Sequence, residues 1–215
     1  MEKKKNDFIA QGSILAIASI LVRVMGMIYR IPMTAIIGDK GNGFYSYAYS
    51  VYTILLLLSS YSLPLAVSKM VSAKAQLGQW RNVKRVFICA IAFAIGIGTT
   101  FGLTVLIGAQ FFTRVFFHSE LAAIALRFMA PTILIMALLG VFRGFFQGLQ
   151  NTLPTAVSQI VEGLINAIMS VVFAYFLFDF GHGMDVASGT TDLGYAWGAA
   201  GGAIGTGAGA LAGLI

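Results

Sequence analysis

Residues 86–112 read VFICAIAFAIGIGTTFGLTVLIGAQFF, an apolar stretch without a charged side chain. The hydrocarbon core of a bilayer is about 30 Å thick, so a helix that crosses it needs roughly 20 mostly apolar residues. This stretch has that length, and comparable stretches recur along the chain. With 58% hydrophobic residues, 10% charged residues and a mean hydropathy of +0.86, the composition excludes a soluble domain.

The apolar stretches predict an all-α, polytopic membrane helix bundle of about six transmembrane helices. The predicted spans are residues 8–37, 44–67, 86–112, 121–149, 154–178 and 194–215. The connection at 68–85 is long and basic, and the one at 179–193 is longer than the remaining turns and acidic. We treat the whole chain, 1–215, as one transmembrane unit.

The basic residues set the predicted orientation, because Lys and Arg in short loops mark the cytoplasmic side. Only Lys40 and Arg114 fall in loops on one side of the predicted membrane. The loops and terminus on the other side hold Lys3, Lys4, Lys5, Lys69, Lys74, Arg81, Lys84 and Arg85. The N-terminus is therefore predicted to be cytoplasmic. Membrane topology explains the net charge of +6 better than nucleic-acid binding does.

Small residues recur at four-residue spacing on two predicted spans, which allows helix backbones to approach closely in lipid. We interpret these runs as helix-packing surfaces rather than as ligand contacts. They are Gly140, Gly144 and Gly148 on the fourth span, and Gly201, Gly205, Gly209 and Gly213 on the sixth.

Three arginines fall in the outer half of the predicted spans, where a charge is costly and usually faces the bundle interior or a wet cavity. Arg23 and Arg30 are seven residues apart, which places them on one face of a helix and about 10 Å apart along its axis. Arg127 lies at a similar predicted depth. The three guanidinium groups predict a binding site for an anionic ligand such as a phosphate. The alternative is that Arg30 and Arg127 snorkel to the outer interface.

The fifth predicted span carries a polar stripe, which cannot face lipid without a large cost. The stripe consists of Thr155, Gln159, Glu162, Asn166 and Ser170. Glu162 is the carboxylate within the predicted spans, at a depth where Arg143 of the preceding span can pair with it. Two interpretations stay open: an ion pair that holds two helices together, or a role of Glu162, Arg143, Gln159 and Asn166 in cation coupling or gating.

Other polar residues give weaker signals. Tyr45, Tyr49 and Tyr52 share a face of the second span, and we favour an aromatic belt at the membrane interface for them. His118 and His182 lie in outer loops without a nucleophile or a metal-ligand spacing around them. The sequence therefore predicts no catalytic site, no metal site and no cofactor.

Four segments resemble a known family. They are RVMGMIYRIP (23–32), GDKGNGFYSYAY (38–49), LPLAVSK (63–69) and RGFFQGLQNTLPTAVSQIVE (143–162). Together they resemble the polysaccharide-biosynthesis and lipid II flippase proteins of the multidrug/oligosaccharidyl-lipid/polysaccharide exporter superfamily, most strongly the Gram-positive branch. The resemblance covers nearly the whole chain. It implies a flippase in the bacterial cytoplasmic membrane that moves an undecaprenyl-diphosphate-linked sugar precursor to the outer leaflet, with Arg23 and Arg30 near the diphosphate.

The resemblance also implies the architecture, because members of this family have two related lobes of similar helices. The chain matches the N-terminal lobe, and its apolar end at Ile215 leads us to expect a truncated chain that lacks the C-terminal lobe. The expected partners are a lipid-linked glycan diphosphate, membrane lipids, and either the missing lobe or a second copy of the chain.

Three competing functions remain at this point. One is export of another lipid-linked polysaccharide unit, for a capsule or a spore envelope. A multidrug exporter is less consistent with the sequence, because cationic drugs favour acidic cavity groups and the first span carries arginines. A membrane scaffold that transports nothing is the third.

Overall fold

The computed structural model describes residues 2–60 and 62–215, with side chains described for residues 12–60, 62–187 and 189–215. Every ordered element in this part of the chain is an α-helix, as predicted. In chain order the helices are α1 (Glu2–Ser59), α2 (Leu63–Gln76), α3 (Trp80–Phe117), α4 (Ala122–Gly148), α5 (Leu153–Ser188) and α6 (Leu193–Leu214).

Four helical stretches of the described chain are long and apolar enough to cross a membrane. They are Gly12–Gln76, Trp80–Phe117, Ala122–Gly148 and Leu153–Ala187. The prediction of an all-α, polytopic membrane bundle is therefore confirmed. Glycine-rich α6 is not among the four, and half of its residues are buried against the other helices.

A bend at Gly38 divides α1 into a first segment (residues 12–37) and a second segment (residues 39–59). Gly38 has φ 64° and ψ −178°, a conformation that is essentially restricted to glycine. A Cβ added at Gly202 of α6 would lie 2.5 Å from Cε of Met33 and 3.1 Å from Cε2 of Tyr45. Since Met33 precedes the bend and Tyr45 follows it, the two segments run back alongside each other on α6.

The bend lies at the same end of the bundle as the α5–α6 turn. Nζ of Lys40 is 3.0 Å from Oδ1 of Asp192 there, and the ring of Tyr195 lies beside Gly38. We call this the outer end, following the predicted orientation, and the opposite end, which holds α2 and the α4–α5 turn, the inner end.

The region after α1 differs from the prediction of one span over 44–67 followed by a basic loop over 68–85. Helix α1 ends at Ser59, and a separate helix, α2, begins at Leu63 with Pro64 in its first turn. Proline lacks the N–H that a continuing helix needs but is tolerated in a first turn. Helix α2 buries Leu63, Val67 and Val71, too few apolar residues to stand out in a hydropathy profile.

Helices α3 and α5 extend beyond the apolar stretches that predicted them. Helix α3 begins at Trp80, six residues before the predicted span, and α5 continues to Ser188. The added turns contain Arg81, Lys84 and Asp185, which are polar and can remain helical outside the hydrocarbon. Hydropathy marks where the lipid begins and not where the helix ends.

The glycine runs are helix-packing surfaces, as predicted. A Cβ at Gly144 would lie 2.5 Å from the carbonyl oxygen of Pro64, and one at Gly148 would lie 2.8 Å from that of Ser68, so α4 packs closely against α2. On α6, the positions at 201, 205, 209 and 213 face α5 in the same way. Helices without a hydrophobic drive between them associate through such close backbone contact.

We predict that Gly205→Ala destabilises the bundle, because its Cβ would overlap the backbone of Ser170 on α5. Such overpacking costs about 1–3 kcal/mol or more. Thermal unfolding of the purified protein in detergent measures the effect. Gly96→Ala is the matched control, since nothing lies within 4 Å of a Cβ there, and equal unfolding temperatures for the two variants would contradict the prediction.

A second prediction concerns the bend. Gly38→Ala forces a side chain into a glycine-only conformation, at a cost of about 1–3 kcal/mol, although the nearest atom to its Cβ, at 3.5 Å, leaves space for it. The same unfolding measurement tests this, with Gly43→Ala as the control because Gly43 has no such backbone angle and open space. An unfolding temperature of Gly38→Ala at or above that of the control would show that the bend is unstrained.

Candidate functional site

The first segment of α1 packs on α5 and α6 with one face and leaves both arginines exposed. Val22 and Met25 contact Gly163 of α5, whereas Arg23 and Arg30 are exposed. Each residue turns an α-helix by about 100°, so Arg23 and Arg30 share a flank roughly 90° from the packed face. The predicted cationic stripe is therefore present as a surface of this segment.

The opposite flank of the first segment is apolar. Its exposed residues are Ile14, Leu21 and Ile28, which suit contact with lipid. The exposed surface of the segment is thus divided into a lipid-compatible flank and an arginine flank.

The second segment has a polar flank of its own. Its Ala48 and Val51 are buried in the same cluster as Val105 of α3 and Leu126 of α4, whereas another flank of the segment is mostly exposed. That flank carries Ser46, Tyr49, Ser50 and Thr53. The hydroxyls of Ser50 and Thr53 donate to the carbonyls one turn earlier, at 2.8 Å and 2.7 Å.

The two segments are antiparallel and both contact α6 at Gly202, so the arginine flank of one and the polar flank of the other can border one surface between them. We call this surface the inter-segment cleft. Its residues are Arg23, Arg30, Ser46, Tyr49, Ser50 and Thr53.

Arg127 lies on a different flank of the bundle. Its neighbours Leu126 and Met129 are buried in the cluster that includes the second segment, and Phe128 lies 6.1 Å from the ring of Trp197 on α6. The exposed side chain of Arg127 therefore points about 100° away from the face that α4 presents to α1. That Arg127 shares a ligand with Arg23 and Arg30 stays a prediction.

The tyrosines of the second segment do not form an interfacial belt, and this interpretation was wrong. Tyr45 and Tyr52 are buried, at 4% and 3% exposure, whereas Tyr49 is exposed. The Tyr45 hydroxyl lies 3.4 Å from Oγ1 of Thr206 on α6. The bend places Tyr45 against α6, whereas Tyr49, one turn later on the helix, remains exposed.

The side chains of the polar stripe of α5 have hydrogen-bond partners on α1, α4 and α6 or on α5 itself. Ser19 of the first segment donates to Gln159 at 3.4 Å. Ser170 donates to Asn166 at 2.9 Å and approaches the carbonyl of Gly202 on α6 at 3.3 Å. The sequence did not predict Thr206 as a polar partner of Tyr45. A single threonine within the glycine run of α6 does not indicate which helix it contacts.

The predicted pairing of Arg143 with Glu162 is present. Nη2 of Arg143 lies 2.6 Å from Oε2 of Glu162, and the two side chains are 14% and 24% exposed. The guanidinium also donates to Oγ of Ser158, at 3.2 Å from Nε and 2.9 Å from Nη2. Ser158 in turn donates to the carbonyl of Gly213 at 2.6 Å. One network therefore joins α4, α5 and α6 at the inner end.

The Arg143 network borders a largely apolar cleft of about 530 Å³ between the same three helices. Phe142, Phe146 and Val161 contribute to its walls. A guanidinium on such a wall is held in place by its three bonds rather than by water. The network can therefore stabilise one arrangement of α4, α5 and α6.

The described residues offer no metal centre. No group of three or more His, Cys, Asp or Glu side chains in this part of the chain could hold a metal ion. Cys89 is an exposed free thiol. His182 stacks on Phe178 with ring centroids 6.3 Å apart, and His118 caps the end of α3.

Comparison with known proteins identifies the family of the chain. Residues 8–212 match the family described as polysaccharide biosynthesis protein. The chain is 26% identical over 200 residues to the lipid II flippase MurJ of Bacillus subtilis (strain 168), covering 89% of this chain and 37% of that protein. It is 26% identical over 174 residues to stage V sporulation protein B of the same organism, covering 80% and 34%.

A further relative is an uncharacterized membrane protein, YabM, of the same organism, which is 27% identical over 174 residues, covering 80% of this chain and 32% of that protein. The chain thus spans about a third of the length of the curated relatives it matches. No solved structure matches it.

We predict that Glu162→Gln destabilises the protein, because it leaves the partly buried Arg143 without a counter-charge. The cost is about 1–3 kcal/mol, below that of a fully buried pair, and thermal unfolding in detergent measures it. The double variant Arg143→Gln with Glu162→Gln recovers part of the loss, since no charge is then left unpaired.

The exposed pair of Arg114 and Glu120, 3.6 Å apart, provides the matched control. Breaking it with Glu120→Gln changes stability by less than about 1 kcal/mol. If Glu162→Gln had an effect equally small, Arg143 and Glu162 would not hold the helices together.

Proposed function

Because the chain belongs to the polysaccharide biosynthesis protein family, whose members are membrane transporters rather than enzymes, we propose that it serves lipid-linked precursor transport. The protein is a multi-pass protein of the bacterial cell membrane. The specific proposal is a flippase that moves an undecaprenyl-diphosphate-linked cell-wall precursor, similar to lipid II, from the inner to the outer leaflet by alternating access.

The arginine flank of the first segment is the observation that carries the proposal. Arg23 and Arg30 are exposed on one flank of the first segment, while the other exposed flank of the same helix is apolar. Guanidinium groups bind phosphate oxygens through paired N–H donors. A diphosphate held in the inter-segment cleft would leave its prenyl tail free to remain in lipid.

A second lobe is proposed to lie against the exposed side of the inter-segment cleft. Arg23 and Arg30 are exposed in the chain by itself, and family resemblance supports two lobes related as parallel repeats about the membrane normal. Either a C-terminal lobe or a second copy of the chain would close the cleft. Rocking of one lobe against the other would then change the side from which the cleft is open.

The Arg143 network is the proposed element for coupling or gating. Glu162, Arg143, Gln159 and Asn166 lie on or beside the face that α5 presents to its neighbours, and Ser158 extends the network to α6. Protonation of Glu162, or a cation bound to it, would remove the partner of Arg143. That change would loosen the junction of α4, α5 and α6 at the inner end.

A second candidate is export of a different lipid-linked polysaccharide unit, for a capsule or a spore envelope. The identity to stage V sporulation protein B equals that to the lipid II flippase, at 26%. Both kinds of substrate would present the same diphosphate to the arginines, so the glycan is the difference between the two candidates.

We predict that Arg23→Ala and Arg30→Ala reduce transport about tenfold or more each, because each charge-assisted contact to phosphate contributes about 1.5–3 kcal/mol. The measurement is flipping of a fluorescent undecaprenyl-diphosphate disaccharide by the full-length protein in liposomes. Arg23→Lys retains part of the activity, since a single ammonium replaces the paired donors.

Arg127→Ala is the matched control, because it removes the same charge from a flank turned away from α1. We expect a smaller loss for it than for Arg23→Ala. Wild-type transport by Arg23→Ala at equal expression would overturn the role of the cleft, and an equal loss in all three variants would place Arg127 in the same site.

A further inference from the structure

A pocket of about 410 Å³, whose walls are largely apolar but carry several polar groups, lies at the inner end of the bundle. Its walls come from three parts of the chain: Gly12 in the first segment, Ser68, Lys69 and Ser72 in α2, and Gln147 with Gln150 around the end of α4. With Thr152 of the α4–α5 turn, which also borders it, the lining side chains provide one ammonium, three hydroxyls and two amides around a space large enough for a phosphate with part of a sugar.

The pocket lies on the same flank of α1 as the arginines. Gly12 precedes Arg23 by eleven residues, which at 100° per residue places the two within about 20° of one line along the helix, and about 16 Å apart along its axis. Arg30 continues this line toward the outer end. The pocket therefore borders the inner end of the flank of α1 that carries the arginines.

The surroundings of Lys69 fit the boundary between lipid and water. On the same helix, Leu65 and Met70 are exposed apolar residues, at 75% and 47% exposure, and Leu65 also borders the pocket. An amphipathic helix with apolar residues next to basic ones lies in the membrane interface. Phosphates of lipid headgroups are found at this level, with their chains directed into the hydrocarbon.

We propose that this pocket is a loading site, which captures the diphosphate and first sugar of the lipid-linked substrate at the inner leaflet before the headgroup moves to Arg23 and Arg30. Lys69 binds the phosphate, Gln147 and Gln150 contact sugar hydroxyls, and Leu65 contacts the start of the prenyl chain. The inference rests on the proposed function and adds a second binding site, which the substrate occupies before it reaches the arginines.

The separation of roles leads to a kinetic test. Lys69→Gln weakens capture, so KM for the fluorescent undecaprenyl-diphosphate disaccharide rises about fivefold, the effect of roughly 1 kcal/mol for one basic residue near the membrane surface. The maximal rate is unchanged, because the arginines that hold the headgroup later are intact. Lys69→Arg restores KM to near the wild-type value.

Lys74→Gln is the matched control. Lys74 is on the same helix, and its loss changes the inner-side charge by the same amount, but it does not border the pocket. The assay is run with full-length protein in liposomes of neutral phosphatidylcholine, and again with about a third of the lipid replaced by phosphatidylglycerol, a level at which surface charge attracts basic segments.

Each outcome decides a separate question. A raised KM for Lys69→Gln alone, in both kinds of liposome, supports the loading site. Equal effects of Lys69→Gln and Lys74→Gln that disappear in neutral liposomes would overturn it, because the pocket would then bind membrane phospholipid. A wild-type KM for Lys69→Gln would overturn it as well. Absence of transport by the wild-type protein would instead refute the proposed function.

Discussion

The reversal of α1 at Gly38 is the constraint on which the rest of the structure depends. A straight helix of 58 residues would be about 87 Å long, almost three times the thickness of bilayer hydrocarbon. The chain must therefore turn within this element. A glycine backbone at φ 64° allows the turn to be made at one residue. Both segments can therefore lie along α6 in opposite directions. The inter-segment cleft and the burial of Tyr45 follow from this reversal.

The glycine run of α6 serves packing and polar contact together. A helix without side chains on one face lets α5 approach closely, and it also leaves its carbonyls accessible to the neighbour. Ser170 and Ser158 use that access, since they reach the carbonyls of Gly202 and Gly213 at 3.3 Å and 2.6 Å. In hydrocarbon a polar side chain must find a partner within the protein. The small residues of α6 therefore allow α5 to be polar on the face that meets α6.

Periodicity and hydropathy predicted those features that depend on one helix or on two consecutive helices. The helical spans follow from apolar length, and the pair of Arg143 and Glu162 follows from their depth on either side of a tight turn. Hydropathy missed α2 because its short sequence buries only three apolar side chains. The burial of Tyr45 and the flank occupied by Arg127 depend on which helices are neighbours. That information comes from the bend at Gly38, and nothing in the sequence distinguishes this glycine from the other glycines among the 25 of the chain.

The charged side chains in the membrane-spanning helices fall into two groups, those paired within the protein and those left unpaired. Arg143 has a carboxylate and a serine as partners, whereas no ion pair among the described side chains involves Arg23 or Arg30. A charge paired within the protein stabilises one arrangement of helices. A charge left exposed within membrane-spanning helices keeps a desolvation cost that an anionic ligand can offset. Only an interaction that differs between states can drive a change of conformation. In the proposed mechanism the two kinds of charge are therefore complementary: the unpaired arginines would recognise a headgroup, and the pairing at Glu162 would determine which arrangement of helices holds it.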